Sequence, residues 1–178
     1  LRRLAVLIAL AVLLSGAAVA YRYYWLARPM GEGPAGPAVP HEPFTKVWTT
    51  RPVLLLAVGD SVTAGLGARP GYGYVDRLVR NPPDEFPDMQ GRSLSAILPN
   101  LTVKNIALSG SNSLQHVEML EELEPQDPET LGLVVMTSGG NDLIHWYGQR
   151  PPREGAMYGA TLAEARPWID NYAARLEK

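Results

Sequence analysis

The sequence predicts an α/β domain built on a parallel sheet, and three observations predict it. Short apolar runs recur at residues 53–58 (VLLLAV), 101–107 (LTVKNIA) and 131–137 (LGLVVMT). Stretches with helical periodicity lie between and after them. Each apolar run ends in a loop of small residues that carries polar side chains.

Composition narrows the class. The chain has 178 residues, enough for one domain with a core and an extension. Hydrophobic residues make up 46% and charged residues 19%, which fits a globular chain with an apolar segment and not a disordered one. A net charge of −2 offers no basic surplus, so nucleic acid is set aside as a partner. Cysteine is absent, which excludes disulfides, a thiol nucleophile and zinc–thiolate sites.

Residues 1–28 read as a signal peptide or an N-terminal transmembrane anchor. Arg2 and Arg3 precede an apolar run over residues 4–20 whose one polar side chain is Ser15. Ala18, Val19 and Ala20 place small residues where a signal peptidase would cut before Tyr21. As an uncleaved anchor, the run is about the minimum for a bilayer span. It passes into Tyr21, Tyr23, Tyr24 and Trp25, aromatic residues suited to the headgroup region, and this favours the anchor. Either way Arg2 and Arg3 stay cytoplasmic. The rest is then extracytoplasmic, membrane-anchored or, if cleaved, secreted or periplasmic. Residues 29–50 read as a spacer, because five prolines and three glycines between Pro29 and Pro43 remove donors and raise the entropy of ordering.

The domain occupies residues 51–178. Its first apolar run has the look of a strand buried on both faces of a parallel sheet. Residues 74–80 suggest a helical turn, stopped by Asn81-Pro82-Pro83, and residues 84–92 a loop. The second run alternates enough for a strand. Residues 113–123 read as a helix with Leu114, Val117, Met119 and Leu120 close to one face. The third run reads as another buried strand. A last helix is expected over residues 161–176, kinked or restarted at Pro167, with Thr161 and Glu164 as its capping box.

In a sheet of this kind, ligands bind beyond the carboxyl ends of the strands. The loops there are residues 59–65, 105–111 and 138–142, and in one sheet they converge. Each supplies something that acyl transfer needs. A serine on a tight turn presents its hydroxyl, and its own N–H faces the developing oxyanion. A glycine leaves its N–H open to close approach. An asparagine amide donates to the same oxygen.

These residues carry a family resemblance. AVGDSVTAG at residues 57–65 resembles the first signature block of the SGNH (GDSL-type) hydrolases, NIALSGS at residues 105–111 the second, and SGGNDL at residues 138–143 the third. The resemblance implies a three-layer α/β/α, flavodoxin-like fold. It also implies a Ser61 nucleophile, with Gly110 and Asn141 in the oxyanion hole, and an ester as substrate: a short acyl ester, a lysophospholipid or an acetylated sugar. No metal or cofactor is implied.

The family's remaining element, a D-x-x-H near the C-terminus, has no counterpart after Gly148. The base His and its Asp are therefore expected beyond Lys178. The fold is then incomplete at the C-terminus, and the chain a fragment that is unstable and weakly active. Asp142-Leu143-Ile144-His145 also spells D-x-x-H, but one segment would have to supply both oxyanion donor and base, so His145 reads as a rim or surface residue and only a substitute base. His41 and His116 read as solvated. Asp60 is expected to support its turn and Asp142 to fix its own loop. Ser109, Ser111 and Ser113 read as turn or cap residues. Trp146 and Tyr147 line a pocket or pack on the sheet, and residues 148–159 form a loop at its mouth. A non-catalytic carbohydrate- or lipid-binding module is the alternative on the same loops. They lack the Gly-Lys-Ser/Thr of a P-loop and the spacing of a dinucleotide fingerprint.

Overall fold

The computed structural model describes residues 2–25, 38–145 and 151–177, and the chain divides into two compact units, Leu1–Ala38 and Val39–Lys178.

In the first unit, helix α1 (Arg2–Ala20) continues into one wider turn, Tyr21–Trp25. Alanine, leucine and valine dominate α1 and offer no polar group to compete with the backbone. Its side chains are exposed throughout. Arg2–Tyr24 spans 23 residues with mean hydropathy 2.5, long and apolar enough to cross a membrane. At about 1.5 Å per residue it is about 35 Å long.

In the second unit, β1 (Val53–Gly59) lies between β2 (Leu101–Asn105) and β3 (Leu131–Thr137). Both pairings are parallel, with Val53 opposite Leu101 on one side and Leu131 on the other. The most continuous apolar run thus takes the central place, where both ladders are filled. β3 departs from the expectation of full burial: Val134 is 65% exposed, because β3 is an edge strand of this sheet.

Alternation sorts the core. Val53, Leu55 and Ala57 are buried on one face, beside Leu101 of β2 and Leu133 of β3. Helices α3 (Tyr74–Val79) and α4 (Leu94–Ile97) cover that face with Val75, Leu94 and Ile97, joined by Leu98. Burying such a side chain contributes about 1.5–3 kcal/mol. Phe44 packs against the Val53–Ile97–Leu98 cluster, and the Trp48 N–H donates to the Ile97 carbonyl at 3.0 Å. The end of the proline-rich stretch therefore belongs to the second unit.

The remaining helices are α2 (Ser61–Ala64), α5 (Ser113–Glu121), α6 (Gly140–Ile144) and α7 (Leu162–Leu176). α2, α4 and α6 are single turns, too short to show a period. α7 is one continuous helix through Pro167, so the restart that was one of the two expectations there does not occur. Pro167 has no N–H to give the Ala163 carbonyl and its ring crowds that oxygen, yet the helix continues for nine more residues. The capping box forms: Thr161 Oγ1 accepts from Glu164 N, and Glu164 Oε2 accepts from Thr161 N at 2.7 Å.

Candidate active site

The site begins at the carboxyl end of β1. Gly59 has φ +135°, and a Cβ there would stand 2.3 Å from the Thr137 carbonyl oxygen. Glycine alone lets the ends of β1 and β3 meet this closely. Asp60 then caps α2: its buried carboxylate accepts from Val62 N at 3.0 Å and from Thr137 Oγ1 at 2.8 Å. Ser61, the first residue of α2, is half-buried. Beneath it Thr63 is buried, with its hydroxyl 2.7 Å from Thr137 Oγ1 and 3.2 Å from the Tyr74 hydroxyl. The amide of Asn105 donates to the Thr63 carbonyl at 3.0 Å, tying the end of β2 to the same turn.

The second loop extends this edge. Ile106 N donates to the Ala57 carbonyl and Leu108 N to the Gly59 carbonyl, each at 2.9 Å. Gly110 was read at the end of the second strand. It stands five residues beyond Asn105, in a turn with φ +87°, a left-handed conformation suited to glycine.

The third loop passes through Gly139 into α6. Asn141 Nδ2 donates to the Ser111 carbonyl at 2.8 Å, and a carbonyl only accepts, so this contact fixes which way the amide points. A Cβ on Gly140 would lie 3.7 Å from Asp60 Oδ2. His145 ends α6, its N–H donating to the Asn141 carbonyl at 2.8 Å. Its Cε1 stands 4.0 Å from where a Cβ on Gly110 would be. The loops of Ser61, Gly110 and Asn141 therefore meet at one sheet edge, and all three residues are partly accessible.

Beneath them lies a buried polar layer that the sequence did not reveal. His116, expected to be solvated, is 1% exposed. Asn112 and Gln115 form a capping box that sets the phase of α5, turning Ser113 and His116 inward and leaving Leu114 and Leu120 exposed. The His116 ring lies with Nε2 2.8 Å from Ser111 Oγ and Nδ1 3.0 Å from Ser138 Oγ. Burial holds its pKa below the usual histidine value, while Asp142 and Asp60 pull the other way.

Asp142, expected to fix its own loop, reaches across to the start of α5. It accepts from Ser113 N at 2.9 Å and from Ser113 Oγ. Arg175 of α7 donates to Ser113 Oγ at 3.0 Å, ion-pairs with Glu154, and lies 3.9 Å from Asp142. No local motif announces partners this far apart in sequence. His41 is exposed in a turn of the Glu42–Phe44 segment. Trp146 and Tyr147 lie outside the described residues. Of the loop expected over residues 148–159, the part from residue 151 is described, and it is tied down. Asn112 Nδ2 donates to the Gly155 carbonyl at 3.1 Å, and Met157 N to the Asp142 carbonyl at 2.8 Å.

A cavity of about 270 Å³ opens beside α6, lined by Gly139, Asp142, Leu143, Met157, Ile169 and Tyr172. Among the described residues no three His, Asp or Glu side chains group as metal ligands.

A parallel sheet with polar, glycine-containing loops gathered at its strand ends defines an α/β domain of the kind whose ligands bind beyond the carboxyl ends of the strands. The sequence matches the GDSL-like Lipase/Acylhydrolase family over residues 57–175, more than half of its length, and the chain belongs to that family. Membership supports hydrolase chemistry of the esterase or acylhydrolase kind. No curated protein matches the chain closely enough to name a relative.

Proposed function

We propose that the protein hydrolyses carboxylic esters outside the cytoplasm, with Ser61 as nucleophile. One observation carries this reading: hydrogen bonds join the three loops that hold Ser61, Gly110 and Asn141. These are Thr137 to Asp60, Leu108 to Gly59, and Asn141 to Ser111. Such a lattice holds a hydroxyl and a set of donors in fixed register, which is what electrostatic stabilisation of an oxyanion requires.

In this mechanism Ser61 Oγ bonds to the ester carbonyl carbon, and its proton passes to a histidine base. The N–H groups of Ser61 and Gly110, with the second amide hydrogen of Asn141, hold the oxyanion. The ester C–O bond breaks and the alcohol leaves with the proton from the base. Water then attacks the acyl-serine and releases the acid. Asp60 supports the nucleophile turn. The resemblance implies that this base is the histidine of a D-x-x-H motif. The substrate is a short acyl ester, a lysophospholipid or an acetylated sugar. Helix α1, with Arg2 and Arg3 on the cytoplasmic side, tethers the domain to the outer face of a membrane.

The test is covalent labelling of the full-length gene product by a fluorophosphonate probe, beside hydrolysis of p-nitrophenyl acetate. Ser61→Ala is expected to remove both signals. Asn141→Ala is expected to lower kcat by about 10²–10³ with labelling slowed. Labelling and turnover that survive Ser61→Ala overturn the proposal. If His145→Gln alone abolishes turnover, the base is His145.

A further inference from the structure

We infer that His116 is a positioning residue for the oxyanion donor Asn141, acting through Ser111. This rests on the reading of Ser61 and Asn141 above and adds to it a residue outside the reacting shell.

The inference starts from hydrogen counting. Ser111 Oγ lies 2.7 Å from the Leu108 carbonyl oxygen and 3.0 Å from that of Gly59, and neither carbonyl can donate. The single hydroxyl hydrogen of Ser111 must therefore point at a carbonyl. Its lone pair is left facing His116 Nε2, 2.8 Å away. Nε2 must carry the hydrogen of that contact. Nδ1 of the neutral ring is then an acceptor, matched by the Ser138 hydroxyl at 3.0 Å. Both ring nitrogens are satisfied in one tautomer, as burial of the ring demands.

The consequence passes outward through Ser111. Its side chain is held by His116, and its carbonyl accepts the amide of Asn141 at 2.8 Å. One hydrogen of the Asn141 amide is thereby fixed, and the direction of the other is fixed with it. On the far side of the ring, Ser138 immediately precedes Gly139 and α6, which carries Asn141. The imidazole thus bridges the two segments that set where Asn141 stands. A donor displaced by a fraction of an ångström loses much of its effect on the transition state.

Two substitutions separate the two sides of the ring. A glutamine amide nitrogen reaches the position of Nε2, so H116Q retains the donor to Ser111. An asparagine places its amide at the position of Nδ1, so H116N retains the contact to Ser138 and loses Ser111. In the full-length product assayed below both thermal transitions, H116N is expected to lower kcat about tenfold or more, with KM within about twofold. H116Q is expected to fall by no more than about threefold. S111A should match H116N, and the double variant S111A/H116N should be no worse than either single change. Nitrogen NMR of the wild-type ring should show a neutral histidine protonated at Nε2, a readout independent of activity and of whether the variants fold. Equal losses in H116N and H116Q, additive losses in the double variant, or a ring protonated at Nδ1 overturn the inference. Turnover that survives Ser61→Ala would instead overturn the hydrolase reading beneath it.

Discussion

Two buried regions of the domain are held by different chemistry. On one face of the sheet, Val53, Leu55, Ala57, Val75, Ile97 and Leu98 exclude water by apolar packing. At the strand ends, Asp60, Thr63, Ser111, Ser113, His116 and Asp142 are equally buried, and hydrogen bonds hold them. Apolar packing tolerates changes of shape at a graded cost. A buried polar layer fixes directions, and an unmatched donor or acceptor in it costs the full desolvation of that group. The difference teaches where rigidity is placed: shape under the sheet, orientation under the site.

The sharpest way to break this comparison is Asp142→Ala. It strips the acceptor from two Ser113 donors and leaves Arg175, whose side chain is 12% exposed, facing an apolar gap. Chemical denaturation should show a loss of about 3–5 kcal/mol, and kcat should fall in the fraction that remains folded. Ile97→Ala should cost about 2–4 kcal/mol by the same measurement, while kcat per folded molecule stays unchanged. If Ile97→Ala changes kcat as much as Asp142→Ala does, the two regions are not distinct in the way described. Thr63→Val keeps the shape and deletes the hydroxyl shared with Thr137 and Tyr74. It should cost about 1–2 kcal/mol and slow labelling of Ser61.

Proton linkage gives a smaller test. His116 has a depressed pKa in the fold and returns to about 6.5 when unfolded. Between those two values the unfolded chain binds more protons, so stability is lost as pH falls below about 6.5, by at most about 1.4 kcal/mol per pH unit. Denaturation midpoints followed downward from pH 7 should show that slope in the wild type and a flatter one in H116Q. Thr161→Ala removes the cap of α7 at an exposed helix start and should cost only about 0.5–1 kcal/mol, seen as a small shift in Tm.

What the sequence showed follows the same division. The parallel α/β class was legible because residues 53–58 form an unbroken apolar run and each run ends in small polar residues. Asn141 and Ser61 stood out because short motifs carry them. His116 did not, since a histidine beside Glu118 looks solvated until the cap at Asn112 fixes the helix phase. Arg175 pairs with partners 21 and 62 residues away, a separation that no periodicity encodes. β3 read as fully buried because its composition matches that of β1, yet edge or centre is decided by strand order, which is a property of the whole sheet.

Strand order also sets how often each part of the site opens. β1 is bonded to a neighbour on each side, whereas β3 is joined to β1 alone within this sheet. Amide hydrogens of β1 should therefore exchange only when the whole domain unfolds, and those of β3 and the single turn of α6 through brief local openings. The single turn that carries the serine follows the central strand, and the single turn that carries the asparagine follows an edge strand. Openings at the sheet edge are therefore expected to displace Asn141 more often than the end of β1, a difference that hydrogen exchange measures.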